Sequence, residues 1–153
     1  MFDCGLFCIS PGLRSAPLII AIATKLPTQT IVCHDERSLC FAALGHAKAT
    51  QKASVVIVTS GTAVANLFPA VIEAYIDEVP LILLTADRPA EYRGLEMNQT
   101  IDQVKIFSAY THYFLDVFTD QKLNEQIKHG LKFVFNPTPG PIQINCQFRE
   151  PIS

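Results

Sequence analysis

Glutamate, aspartate, arginine and histidine crowd one short stretch of this chain, CHDER at residues 33–37, although only 17% of its residues are charged. Asp35 suits a helix start, because its carboxylate can accept N–H groups that the first turn leaves open. Glu36 suits the positive end of the helix dipole. The same Glu36, projecting into a cleft, can act as a general acid or base. Three other polar segments carry comparable groups: ISPGLRS (9–15), VTSGTA (58–63) and TADRP (85–89). Arg14 follows a Pro11-Gly12 turn at a helix start, a poor place for a cation unless an anion sits above it. A solvated surface arginine is the alternative. Ser60, Gly61 and Thr62 precede a helix and can cap it, while Gly61 also permits a close backbone approach to a ligand. Arg88 can be neutralised by Asp87 or can fork onto a carboxylate ligand. The amides of Asn98 and Gln99 end the loop that follows; alone they are ordinary loop residues.

The elements that must position these groups alternate along the chain. Short apolar runs rich in β-branched residues predict strands at 6–9, 30–33, 54–58, 81–85, 113–117 and 142–145. Helical stretches lie between them at 15–25, 36–52, 62–76 and 121–135, with Pro17 tolerable near a first turn and Pro69 expected to kink its helix. Residues 87–98 read as a polar loop and 103–107 as a short helical turn. Continuous apolar strands between helices predict an α/β, doubly wound, mainly parallel six-stranded sheet with helices on both faces. Ligands in such folds bind beyond the carboxyl ends of the strands, where all four polar segments fall.

Composition narrows the classes. The chain has 153 residues, enough for one domain that buries roughly 70% of its unfolded surface. With 49% hydrophobic residues and a mean hydropathy of +0.26, either both sheet faces are covered or some surface awaits a partner. No apolar run approaches the roughly 20 residues of a membrane span. A net charge of −2 with scattered lysines and arginines argues against nucleic acid as a partner. Cys4, Cys8, Cys33, Cys40 and Cys146 form no CxxC pair and read as free, mostly buried thiols of a cytoplasmic protein. There is no GxGxxG and no P-loop, and Val58 replaces the glycine of a nucleophile elbow. His34, His46, His112 and His129 lack metal-ligand spacing, so no metal site is expected in this chain.

Taken together, ISPGLRSAPL, DERSLCFAALGHAKA, VTSGTAVANLFPAVIEA, VPLILLTADRPAE, NQTIDQ and GPIQINCQFREP resemble one enzyme family in order and spacing. It is the 2-succinyl-5-enolpyruvyl-6-hydroxy-3-cyclohexene-1-carboxylate (SEPHCHC) synthases of menaquinone and phylloquinone biosynthesis. The resemblance implies thiamine diphosphate with Mg2+ or Mn2+, decarboxylation of 2-oxoglutarate, and addition of the succinyl carbanion to isochorismate. It is confined to the family's pyrimidine-binding domain, covering residues 1–153. The family's central and diphosphate-binding domains, the latter holding the metal, have no counterpart here. The helix ahead of the first strand is also missing, so a fragment or a reduced gene product, inactive alone, is expected.

Carried onto this sequence, the resemblance makes Glu36 the cofactor-activating carboxylate at N1′ of the aminopyrimidine, the one catalytic residue expected. Ser60, Gly61 and Thr62 would lie near the pyrimidine ring. Arg14, Arg88, Asn98 and Gln99 would bind isochorismate and its carboxylates. The expected partner is the diphosphate-binding domain of a second subunit in a homo-oligomer. One residue departs: the family reads PGSRS where this chain has Leu13, which removes a polar substrate contact. Two other readings remain, a subunit of another thiamine-diphosphate-dependent 2-oxo-acid decarboxylase and a degenerate, non-catalytic assembly module.

Overall fold

A computed structural model describes residues 4–26, 29–118 and 122–149. Six strands form one sheet: β1 (Cys4–Ile9), β2 (Thr30–Val32), β3 (Ala53–Val58), β4 (Leu81–Asp87), β5 (Tyr113–Val117) and β6 (Ile142–Gln147). Their order is β2-β1-β3-β4-β6-β5, and every pairing is parallel. The helices are α1 (Ala16–Lys25), α2 (Glu36–Thr50), α3 (Thr62–Ala65), α4 (Phe68–Ile76) and α5 (Leu123–Leu131). This is the α/β architecture expected, with the sheet parallel throughout.

Side-chain alternation explains why β3 reads as a continuous apolar run. Val56 and Val58 face the core shared with Leu39, Ala43, Val64 and Val71 of the helices α2 to α4 and with Leu67 between α3 and α4. Val55 and Ile57 face the opposite core, which Leu18 and Ile22 of α1 and Leu131 of α5 help to cover. Strand β4 divides likewise, Leu81 and Leu83 to one side, Ile82 and Leu84 to the other. Both faces of the sheet are therefore occupied. The short β2 is an edge strand, with Ile31 and Val32 exposed.

Several boundaries shift for identifiable reasons. The helix expected over 62–76 is two helices, and the break comes before Pro69 rather than at it. Pro69 sits in the first turn of α4, where its missing N–H leaves no hydrogen bond unmade. Helix α2 stops at Thr50, short of residue 52, because Gln51 takes a left-handed conformation with φ 59° that closes the last turn. Residues 13–15 form a 3₁₀ turn ahead of α1. Strand β4 runs two residues beyond Thr85 and brings Asp87 into the sheet. The helical turn expected near 103–107 is realised as a run of turns ending in a 3₁₀ turn at Ser108–Tyr110. The start of the helix expected at Gln121 lies outside the described residues.

Candidate active site

Because all strands run the same way, the ends of β1, β2, β3 and β4 deliver the four polar segments to one edge of the sheet. At the end of β2, Asp35 caps α2 by accepting the Ser38 N–H at 2.8 Å, and hydrogen bonding from the Ser38 side chain and backbone holds its carboxyl below the usual carboxylate range. Glu36, the first residue of α2, is half-buried. Asn66 Nδ2 donates to its Oε2 at 3.2 Å, and Ser10 Oγ lies 3.4 Å from Oε1. Its carboxylate therefore bridges the end of β1 and the gap between α3 and α4. His34 and Arg37 are exposed.

Five of the expected site residues, Arg14, Ser60, Arg88, Asn98 and Gln99, line a single cavity of about 200 Å³ that Leu13 and Thr59 complete. Arg88 Nη1 donates to Gln99 O at 3.2 Å and to Ser60 Oγ at 3.4 Å, and Ser60 Oγ itself donates to Gln99 O at 3.2 Å. Arg88 Nε is buried and meets no acceptor. Asp87 does not neutralise the Arg88 guanidinium: its carboxylate accepts the Arg88 backbone N–H and pairs instead with Arg93. Arg14 is buried, not a solvated surface residue, and its Nη1 donates to Phe148 O at 2.8 Å just past β6. Glu36, Gly61 and Thr62 lie outside this cavity. Thr62 is exposed at the first position of α3.

Gly61 is needed for a reason other than ligand approach. Its φ is +80°, and a Cβ there would stand 2.6 Å from the Gln99 carbonyl oxygen. The backbone of the second loop occupies the space. Gly12 is similar: a Cβ would fall 2.4 Å from Thr59 Cβ, so the Pro11-Gly12 turn packs directly on the loop after β3.

Sequence reasoning missed the residues that hold this site from below. Gln103 is 1% exposed; its Oε1 accepts the Gly61 N–H at 3.2 Å, and its Nε2 donates to Ala86 O at 2.9 Å and Asn145 Oδ1 at 2.8 Å. Asn145 Nδ2 donates to Asp87 and Asp116, and Arg93 Nη2 pairs with both carboxylates. Burial pushes the Asp87 carboxyl up, outweighing these donors. Burial also works against the Arg93 cation, but Asp116 and Asp87 outweigh it and raise its pKa. His46 is structural, its Nδ1 hydrogen-bonded to Ser54 Oγ at 3.0 Å.

A larger cavity, about 520 Å³, lies elsewhere, between the sheet and α5. Leu18, Val55, Ile127 and Ile144 are among its walls, and such an apolar lining offers little to orient a polar ligand. Among the described residues no group of three or more His, Cys, Asp or Glu could hold a metal ion, and no helix is long and apolar enough to cross a membrane. All five cysteines are free.

The parallel α/β sheet agrees with the family comparison. Residues 5–106 match the thiamine pyrophosphate enzyme, N-terminal TPP binding domain, and the chain belongs to that family. It is similar to the 2-succinyl-5-enolpyruvyl-6-hydroxy-3-cyclohexene-1-carboxylate synthase of Rubrobacter xylanophilus, 46% identical over 96% of this chain and 27% of that protein. The synthase of Trichodesmium erythraeum is 43% identical over 95% of this chain and 26% of its own length. Protein PHYLLO, chloroplastic, of Arabidopsis thaliana is 42% identical over 95% of this chain and 9% of its own. The chain thus spans about a quarter of the synthases it matches.

Proposed function

We propose that this chain supplies the pyrimidine-side half of a thiamine diphosphate site in a SEPHCHC synthase of menaquinone or phylloquinone biosynthesis. The observation that carries the reading is the Glu36 carboxylate, held at the start of α2 by Asn66 and Ser10 at the same sheet edge as the arginine-lined cavity. The residues present fit an aminopyrimidine: an oriented carboxylate can accept from or return a proton to a ring nitrogen at its Oε atoms. When bound, the cofactor supplies the electron sink for decarboxylation of a 2-oxo acid. Glu36 orients the ring and relays one proton. Arg88 and Arg14 bind carboxylates of the substrates, 2-oxoglutarate and isochorismate, while Asn98 and Gln99 hydrogen-bond the acceptor. Ser60 and Gly61 fix the loop beside the ring through Gln99. Thr62, exposed at the first position of α3, would lie near the ring.

Completion requires the family's central and diphosphate-binding domains, the latter with Mg2+ or Mn2+ and from a second subunit of a homo-oligomer. Residues 1–153 form one pyrimidine-binding domain, inactive by itself, and its free thiols suit the cytoplasm. The test supplies the other domains of the Rubrobacter synthase as a separate chain and follows 2-oxoglutarate turnover with and without isochorismate. Isochorismate-dependent product that Glu36→Gln abolishes is the expected result. Decarboxylation without that product would make the chain a subunit of another 2-oxo-acid decarboxylase. Cofactor activation indifferent to Glu36→Gln would leave the glutamate a helix-start residue and the chain an assembly module.

A further inference from the structure

The wall formed by Arg14 and Arg88 has two sides. On one lies the cavity with Ser60, Asn98 and Gln99; on the other lies a smaller cavity of about 130 Å³, bounded by Arg14, Arg88, Pro89, Tyr92, Met97 and Arg149. Arg149 follows β6 and enters neither the proposed chemistry nor the core. Its guanidinium lies over the Phe118 ring, 5.5 Å from the centroid, and its Nη1 pairs with Glu91.

Three guanidinium groups thus border this second cavity, and the carboxylate paired with Arg149 is Glu91. That pair is solvent-exposed, its side chains 58% and 46% exposed, and such pairs contribute little net stability. A competing carboxylate can displace Glu91 at small cost. Arg88 adds a reason for one to come: no carboxylate among the described residues pairs with its guanidinium, and its buried Nε donates to nothing. A buried donor without an acceptor gains most from an incoming anion. Tyr92 and Met97 supply an apolar surface for the body of such a ligand.

We propose that Arg149 is a specificity-determining residue: it leaves Glu91 and binds the second carboxylate of a dicarboxylate ligand whose first carboxylate sits at Arg88. The ligand class is a small dicarboxylic acid with a flat, apolar body that spans the arginine wall. This rests on the proposed assignment of Arg88 to substrate binding, but not on thiamine chemistry.

The chain itself is titrated with benzoate and with isophthalate, following the arginine Nε–H signals by NMR. Isophthalate should bind about tenfold tighter than benzoate, or about 1.4 kcal/mol. Arg149→Gln should abolish that preference and leave benzoate unchanged, while Glu91→Gln should increase it. Both positions are exposed, and unchanged thermal midpoints will show that the variants fold. A preference indifferent to Arg149→Gln, equal weakening of both probes, or no binding of either overturns the proposal. Benzoate binding that ignores Arg88→Gln removes the underlying substrate assignment, and the proposal with it. Retained benzoate binding with no dicarboxylate preference removes only the role of Arg149.

Discussion

Substituting Gln103 by methionine isolates the buried amide that joins the two loops of the site. Methionine has similar length and fills the same space, so the change removes hydrogen bonds rather than volume. Three bonds go: the Gly61 N–H to Oε1, and the Nε2 donations to Ala86 O and Asn145 Oδ1. Asn145 Oδ1 keeps the Thr85 hydroxyl at 2.9 Å, so it stays satisfied. The Gly61 N–H keeps no partner among the described residues and is buried. Two lost bonds at about 1 kcal/mol each, plus one orphaned buried donor at about 1–3 kcal/mol, give a loss of about 3–5 kcal/mol. For a chain of this size that lowers the melting midpoint by roughly 10 °C. Urea unfolding should show the loss in the midpoint with an unchanged slope. Amide hydrogen exchange should accelerate at Gly61 before it does in β3. Gln103→Glu sharpens the test, because it keeps the acceptor for Gly61 but sets a carboxylate against two acceptor oxygens. Its deficit should exceed that of methionine near neutral pH and shrink on acidification. A loss under about 1 kcal/mol, with the Gly61 amide still protected, would refute the reasoning.

Gly61→Ala should cost about 2–3 kcal/mol in urea unfolding, from the positive φ and from the Cβ placed 2.6 Å from Gln99 O, and should shift the Asn98 and Gln99 amide signals. The raised pKa of Asp87 fixes the sign of a pH effect. Its native carboxyl holds a proton more readily than in the unfolded chain, so its contribution is greatest below the ordinary value of 3.8 and is lost as pH rises through the native value. The stability of Asp87→Asn relative to the parent should therefore increase as pH rises above about 4, and a flat difference in melting midpoints would contradict the burial argument. Burial pushes the Cys8 and Cys146 thiols up to about 12, so alkylation near neutral pH should proceed at Cys33 and spare both until the chain unfolds. Mass spectrometry of labelled peptides checks that order.

What could be read directly was whatever depends on neighbours in the chain. The continuous apolar runs of β3 and β4, the bounds of β5, the Asp35 cap and the placing of four polar segments at one sheet edge all follow from local pattern. The break between α3 and α4 was misplaced because proline was taken as the breaker, although a first-turn proline is compatible with a helix. Arg14 was legible as a candidate site residue but its burial was not, since that depends on Phe148, 134 residues away. Gln103, Asn66 and Ser10 went unseen for the same reason. Their partners stand 42, 30 and 26 residues off, and amides and hydroxyls give no periodic signal of such meetings.

Those unseen contacts change how the site should respond to substitution. Gln99 O receives both Ser60 Oγ and Arg88 Nη1, the space beside it exists because residue 61 is glycine, and the Gly61 N–H is held by Gln103. The loop assigned to the cofactor and the residues assigned to the substrate therefore move as one body. Asn145 and Arg93 tie that body to Asp87 and Asp116 in the sheet. Glu36 belongs to a separate attachment, through Asn66 and Ser10. Substitutions at Gln103 or Gly61 should accordingly disturb ring placement and substrate binding together, whereas substitutions at Asn66 should act on the glutamate and spare the arginine cavity. In a completed enzyme, the first kind raises KM as it lowers kcat; the second lowers kcat alone.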